Sequence, residues 1–516
     1  MKNSRRYLLP FAVLFASFFA LSLTNEKSAP AAQPAFITDS LDTYITREMK
    51  NWDLPGLAVA VVKDGQVVVS KGYGVTEMGT DKKVNDESLF MIASCTKAFT
   101  ATSLAVLGQE KKLSLNDSVV KWLPGFHMYD PAVTPMVTIR DLLCHRLGFQ
   151  TFQGDFLNWD SNLSRAQIID AIGRNKPVFG FRAQYGYCNA AFLTAGEIIP
   201  KATGKSWDDF VKERFFIPLK MTRSSTTHDV IAHDANACVP HTRWNGKETK
   251  IAYDVVDNLG PAASVNSCVK DLSHWLLMQL DSGRYGGNHI VPFAALAETR
   301  KPQTIIENRN PDYHFVSYCL GWTTADYHGK QLFWHNGGAS GFLSTVCFIP
   351  ELNLGIVVLA NSDNNNLFNA LRQQIIDAYM GLPYKNYSAL YLPRYKKFWA
   401  DDDAQVAKWN ADVAKNPKLP VDLQAFAGMY ENPVYGKMNV VVEENKLSVS
   451  FEHHPNIIGK LEYMGDSTML CTFFSPLWGI KPAPFVIKDG KVESITISVN
   501  GEVDAMPYEF RHNDKP

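Results

Sequence analysis

The chain has 516 residues, 46% of them hydrophobic and 20% charged, a length that suggests two or three domains and a composition that supports a substantial core. Its formal net charge is −1. With no strong field of either sign, neither nucleic acid nor another polyanion is expected as a partner.

Lys2, Arg5 and Arg6 precede an apolar run from Tyr7 to Leu23, and Ala20-Leu21-Ser22 and Ala29-Pro30-Ala31 offer small-residue cleavage sites. The pattern predicts an export signal over residues 1–24, placing the protein in the periplasm or cell envelope. Membrane contact is then confined to this segment if it stays uncleaved. The first cysteine is Cys95, so a lipoprotein cleavage site is not expected.

Gly56 to Val62 and Gln66 to Ser70 flank Lys63-Asp64-Gly65, which predicts a hairpin opening an antiparallel sheet. The apolar run Leu89 to Ala93 leads into a helical stretch from Ser94 to Gln109. Ser94 and Lys97 stand at i and i+3, one turn apart on a shared helix face. Ser-x-x-Lys also occurs at Ser118 and Lys121 and at Ser267 and Lys270, so the spacing alone identifies nothing. Order does. Tyr187-Cys188-Asn189 and His335-Asn336-Gly337 follow Ser94, no Tyr-x-Asn lies between Ser267 and His335, and Ser118 reads as the cap of a short helix. Helices are predicted for Ala190 to Ala202 and Val269 to Leu280, and strands around Gln331 to Trp334 and Thr345 to Ala360.

Residues 384–420 are predicted to be a packed linker, Tyr-rich at first and helix-prone from Asp401 to Lys415. From Val421 to the C-terminus, short alternating strands at Met438 to Glu443, Lys446 to Phe451 and Val492 to Val499 predict an independent all-β domain. Cys95, Cys144 and Cys188 read as buried core residues, and His453 and His454 as surface or barrel residues. No metal and no cofactor are expected.

The Ser-x-x-Lys, Tyr-x-Asn and His-x-Gly series resembles that of the serine hydrolases of the class C beta-lactamase and penicillin-binding superfamily, in its His-x-Gly branch. Leu142-Leu143-Cys144-His145-Arg146-Leu147-Gly148 and the Gly337 to Phe342 segment extend the likeness over roughly residues 37 to 383. Phe426-Ala427-Gly428-Met429-Tyr430 with Val434-Tyr435-Gly436 resembles the lipocalin-like barrels appended to some members. The resemblance implies an α+β fold, an antiparallel sheet flanked by helices with a helical subdomain, followed by a small β barrel over residues 421–516. That barrel either holds a ligand or is filled by side chains.

The resemblance also implies Ser94 as nucleophile and the backbone N–H groups of Ser94 and Gly338 as an oxyanion hole. Lys97 or Tyr187 would remove the serine proton. Neutralising a lysine at pH 7 costs about 4.6 kcal/mol in water, which burial can supply, whereas a tyrosine needs a smaller depression. Tyr187, assisted by Lys97, is the favoured base at this point. Asn189, His335, Asn336 and Gly337 are expected to contact substrate, with the Asn189 amide meeting Lys97 or a substrate carbonyl and His335 meeting Tyr187 or substrate, and His145 is expected to be structural. His335 stands where lactamases carry a lysine, which weakens recognition of a carboxylate. The expected activity is hydrolysis of amide or ester bonds through an acyl-Ser94 intermediate, most readily in small or D-residue-containing peptides. A carboxylesterase, a weak beta-lactamase and a non-catalytic envelope ligand-binding protein are the alternatives, and a homo-oligomer is possible. Specificity is expected in the loops Gly148 to Leu163 and Asn308 to Tyr318.

Overall fold

A computed structural model describes residues 32–308 and 310–513, so the expected export signal lies outside the described residues. The main sheet has eight strands: β1 (Gly56–Lys63), β2 (Gln66–Gly74), β3 (Thr304–Ile306), β4 (Val316–Tyr318), β5 (Thr323–Tyr327), β6 (Lys330–Ala339), β7 (Phe342–Ile349) and β8 (Leu354–Ala360). Their spatial order is β2-β1-β8-β7-β6-β5-β4-β3, antiparallel throughout. The opening hairpin turns on Asp64 and Gly65, at φ 49° and 77°, the left-handed pair that a tight two-residue turn requires.

Both faces of the sheet are covered, which is why β1 and β8 read as unbroken apolar runs rather than alternating ones. Ala58, Ala60 and Val62 face a core built with α2 (Lys97–Gln109), α3 (Asn189–Gly196) and α4 (Val269–Leu280). Leu57, Val59 and Val61 face α1 (Leu41–Asn51) and α5 (Leu367–Met380). α2 is buried around its whole circumference from Lys97 to Leu107, as expected of a helix without a polar face.

The stretch expected to be a linker is mostly one helix, α6 (Tyr387–Ala414), which begins well before the segment predicted as helical. Tyr387, Tyr391, Tyr395 and Trp399 recur every four residues and line a single face against the sheet domain, so packing overrides the Pro393 within the helix. Asp377 of α5 anchors the junction, accepting hydrogen bonds from the Tyr327 hydroxyl at 2.7 Å and the Tyr387 hydroxyl at 2.6 Å.

The C-terminal region closes into an eight-stranded barrel, β9 (Gly428–Asn432), β10 (Gly436–Glu443), β11 (Lys446–Phe451), β12 (His454–Gly465), β13 (Thr468–Phe473), β14 (Ile480–Lys488), β15 (Lys491–Ile497) and β16 (Tyr508–His512). Its interior is filled by side chains, among them Met438, Val449, Phe473, Trp478, Ile495 and Phe510, and this packing is continuous with the core beneath α2. The fold is therefore the expected α+β sheet domain with an added β barrel. All eight cysteines are buried and unbridged.

The Asp377 junction yields a graded prediction. Tyr387→Phe removes one buried hydrogen bond and should cost about 1 kcal/mol, whereas Asp377→Ala strands two phenols and should cost more than twice that. Urea unfolding checks the pair, and equal costs would contradict the shared-acceptor role.

Candidate active site

Ser94 is presented by a strained turn. Phe90 and Met91 pair with Ser267 and Asn266, the chain then passes through Ala93 at φ 44°, and Ala93–Thr96 forms a 3-10 turn before α2 begins at Lys97. An alanine in the left-handed region costs about 1–2 kcal/mol and persists only where its surroundings impose it. Here they do: the Ser344 hydroxyl donates to the Ile92 carbonyl at 2.8 Å, and the Cys95 thiol donates to the His335 carbonyl at 3.2 Å. A Cβ at Gly337 would overlap the Ile92 carbonyl oxygen, so only glycine lets β6 lie this close. Ser94 thus precedes the α-helix instead of opening it, and it remains partly exposed.

Lys97 is fully buried. Its Nζ lies 3.1 Å from Ser94 Oγ, 2.6 Å from Asn189 Oδ1 and 2.9 Å from the Ala262 carbonyl oxygen. Burial pushes its pKa down to about 7, opposed mainly by Asp155. In the neutral amine the two N–H bonds match the two carbonyl acceptors, and the lone pair is left facing the Ser94 hydroxyl. The tether reaches back through α2 itself, where the Thr100 hydroxyl donates to the Pro261 carbonyl at 2.6 Å and fixes the 260–265 segment.

Tyr187 arrives on the turn before α3, and Asn189 opens that helix. His145 holds that turn: its carbonyl accepts from the Gly186 N–H at 2.9 Å and its Nδ1 from the Cys188 N–H at 3.1 Å, a structural role as expected. The Tyr187 ring packs 4.7 Å from Lys97 Nζ. Its hydroxyl lies toward Ser94, which favours the phenolate, but it has no hydrogen-bond partner of full geometry among the described residues. Burial outweighs that contact and drives the phenol well above its usual value. The Asn189 amide accepts from Lys97 and donates through Nδ2 to Asp155. It orients the lysine, the first of the two contacts expected of it.

His335 faces the site from β6, and its Nε2 sits 2.9 Å from the Tyr318 hydroxyl rather than on Tyr187. Burial and the neighbouring Lys97 lower its pKa to about 3, so it is uncharged at neutral pH. Asn336 does not join the site. Strand alternation turns it to the opposite face, where it donates to Asn369 at 3.1 Å and accepts from Arg372 at 3.1 Å. Gly338 follows on the same strand and is exposed beside the packed Gly337.

Sequence reasoning missed Asp155, Tyr318 and the Ala262 carbonyl. Asp155 accepts from Asn158 Nδ2 at 3.0 Å as well as from Asn189; these amides favour the carboxylate, while burial and the nearby Asp504 push its pKa up to about 8. Asp155 and Tyr318 lie within the two loops expected to set specificity, but no local spacing links either of them to Ser94. Their proximity is wholly tertiary.

The model of the family described as Beta-lactamase matches residues 41–380. The unguisins hydrolase ungD of Aspergillus violaceofuscus is 25% identical over 458 residues, covering 81% of this chain and 78% of its own. The octameric penicillin-binding protein homologue from Pyrococcus abyssi superposes with a TM-score of 0.60 at 21% identity, over 92% of this chain and 99% of its own. A D-stereospecific amidohydrolase from Streptomyces gives a TM-score of 0.53 at 21% identity, over 67% of this chain and 98% of its own. A family match spanning most of the chain, on a fold shared with these proteins, shows that the chain belongs to the Beta-lactamase family.

Proposed function

We propose that the protein is a serine hydrolase that cleaves amide bonds of small or D-residue-containing peptides through an acyl-Ser94 intermediate, with Lys97 as the base. The observation that carries this reading is the buried Lys97 Nζ, 3.1 Å from Ser94 Oγ, with a pKa pushed to about 7. Burial moves the two candidate bases in opposite directions: it makes the amine available near neutrality and keeps the Tyr187 phenol protonated. This reverses the preference drawn from reference values alone.

In the reaction, Lys97 takes the Ser94 proton as Oγ bonds to the substrate carbonyl carbon. The backbone N–H groups of Ser94 and Gly338 stabilise the oxyanion. As the tetrahedral adduct collapses, the C–N bond breaks and the lysine ammonium returns its proton to the leaving nitrogen. Water then enters by the same route and releases the acid. The neutral Tyr187 hydroxyl, directed toward Oγ, serves as a hydrogen-bonding aid to this shuttle. A buried uncharged His335 supplies no cation for a substrate carboxylate, which disfavours carboxylate-bearing lactams. The hydrolase and amidohydrolase names of related proteins support the amide reading. Export rests on the basic-then-apolar pattern of residues 1–23, and oligomerisation on the octameric relative.

A fluorophosphonate probe should add one adduct to Ser94 in intact-protein mass spectrometry. Ser94→Ala should abolish it and lower peptide and ester turnover by on the order of 10³-fold or more. Absence of an adduct on the wild type would favour a ligand-binding protein, and faster turnover of simple esters than of any peptide in a panel would favour a carboxylesterase.

Because the base must be unprotonated, kcat/KM should rise with pH through a midpoint near 7. Lys97→Met should lower it by about 10²- to 10⁴-fold. Tyr187→Phe should cost about tenfold or less, consistent with loss of a single hydrogen bond. A larger loss for Tyr187→Phe than for Lys97→Met would return the base role to the tyrosine.

A further inference from the structure

The barrel has an occupant supplied by the chain itself. Phe156, on a short turn of the sheet domain (Asp155–Leu157), is fully buried and inserts among barrel aromatics. Its ring stacks on Tyr508 at 5.3 Å, lies 4.3 Å from His454, and meets Trp478 and Phe451 edge-on at 5.1 and 5.3 Å. Asp504, on the connection before β16, closes over the same turn, with Oδ2 accepting the N–H of Gly154 at 2.9 Å and of Phe156 at 3.3 Å. Gly154 holds φ 91°, a conformation that residues with a side chain rarely adopt. The residue gripped from both sides is Asp155, the partner of Asn189.

We infer that the barrel is part of the catalytic positioning apparatus: Phe156 plugged into its mouth and Asp504 clamping the flanking N–H groups hold Asp155 against Asn189, and Asn189 against Lys97. The inference rests on Lys97 acting as base. Phe156 and Asp504 are positioning residues, since neither touches Ser94 or Lys97. Two consequences follow. The part of the barrel lined by Phe451, His454, Trp478 and Tyr508 is used as a receptor for the sheet domain. The dryness of the Lys97 environment also depends on the barrel remaining docked.

The groups that set the Lys97 environment come from several elements: Ser94 and Cys95 before α2, Tyr187, Cys188 and Asn189 at α3, His145, His335 on β6, and Asp155. Asp155 is faced in turn by Asp504, Tyr435 and Tyr508 from the barrel side, and by Lys97, Tyr187 and Cys188 from the sheet domain. Barrel residues thus supply one carboxyl and two phenols to the surroundings of Asp155. Removing the Asp504 charge makes Asp155 a firmer carboxylate and a stronger attractor of the lysine proton. Truncating Phe156 admits water. Both changes raise the pH at which Lys97 becomes neutral.

The test follows fluorophosphonate labelling of Ser94 against pH in the full-length protein for the wild type, Phe156→Ala, Asp504→Asn and the apolar replacement Phe156→Leu, with folding checked by circular dichroism. The expected result is that Phe156→Ala and Asp504→Asn move the midpoint up by about one pH unit. Labelling at pH 7 then falls several-fold, approaching tenfold well below the midpoint, and recovers at pH 9, while Phe156→Leu stays near the wild type. If the wild type shows no midpoint near 7, the reading of Lys97 as base fails. If the wild type shows it and the folded variants keep it, or lose labelling equally at every pH, the barrel is structural only and the inference is overturned. Should Phe156→Ala fail to fold, the isosteric Asp504→Asn decides by the same criteria.

Discussion

The exclusion of water from the Lys97 amine is the constraint on which the site depends. A solvated lysine holds its proton until about pH 10.4 and cannot accept one from a serine. Full burial reverses this. In exchange, every hydrogen of the amine must find a protein acceptor, because an unsatisfied buried polar group costs about 1–3 kcal/mol. Asn189 and the Ala262 carbonyl meet that demand, and their directions leave the remaining position to Ser94. The same arrangement explains why α2 is buried on all sides and why β6, the 260–265 segment and the start of α3 converge on its first turn.

The surrounding groups keep positive charge low around this amine. His335 and His145, both buried and both held below their ordinary pKa by desolvation and by Lys97, add no positive charge beside it at neutral pH. Asp155 brings a carboxyl into the network, held by the amides of Asn158 and Asn189, while the barrel's Asp504 grips the backbone N–H groups on either side of it. The added domain and the reaction centre are linked over a short path through Phe156, Asp155 and Asn189, in which each step is a direct contact. Such a path lets the barrel influence proton affinity without contributing an atom to the substrate site.

Much of this was legible in the sequence. The order of Ser94, Lys97, Tyr187, Asn189 and His335 survives folding as spatial proximity, and the opening hairpin turns at Asp64-Gly65 as its residues predict. Asn336 was misplaced because a motif read as a word ignores the two-residue period of a strand, which sends neighbours to opposite faces. The early start of α6 was hidden because tyrosine and an internal proline are poor helix signals, whereas their every-fourth-residue aromatic face becomes meaningful only with the sheet domain beside it. Asp155 and Phe156 carry no local signature at all: a carboxyl that braces an amide and a ring that docks among barrel aromatics are defined by partners about 34 and 350 residues away. The choice between Lys97 and Tyr187 was open for the same reason, since reference pKa values contain no burial.

The most direct measurement is the ionisation of Lys97 itself, followed by NMR of the lysine side-chain carbons, with Lys97→Met used to assign the signal. The account predicts a titration centred near pH 7, well separated from the other lysines. A Lys97 signal that titrates with the solvent-exposed lysines near 10.4 would contradict it.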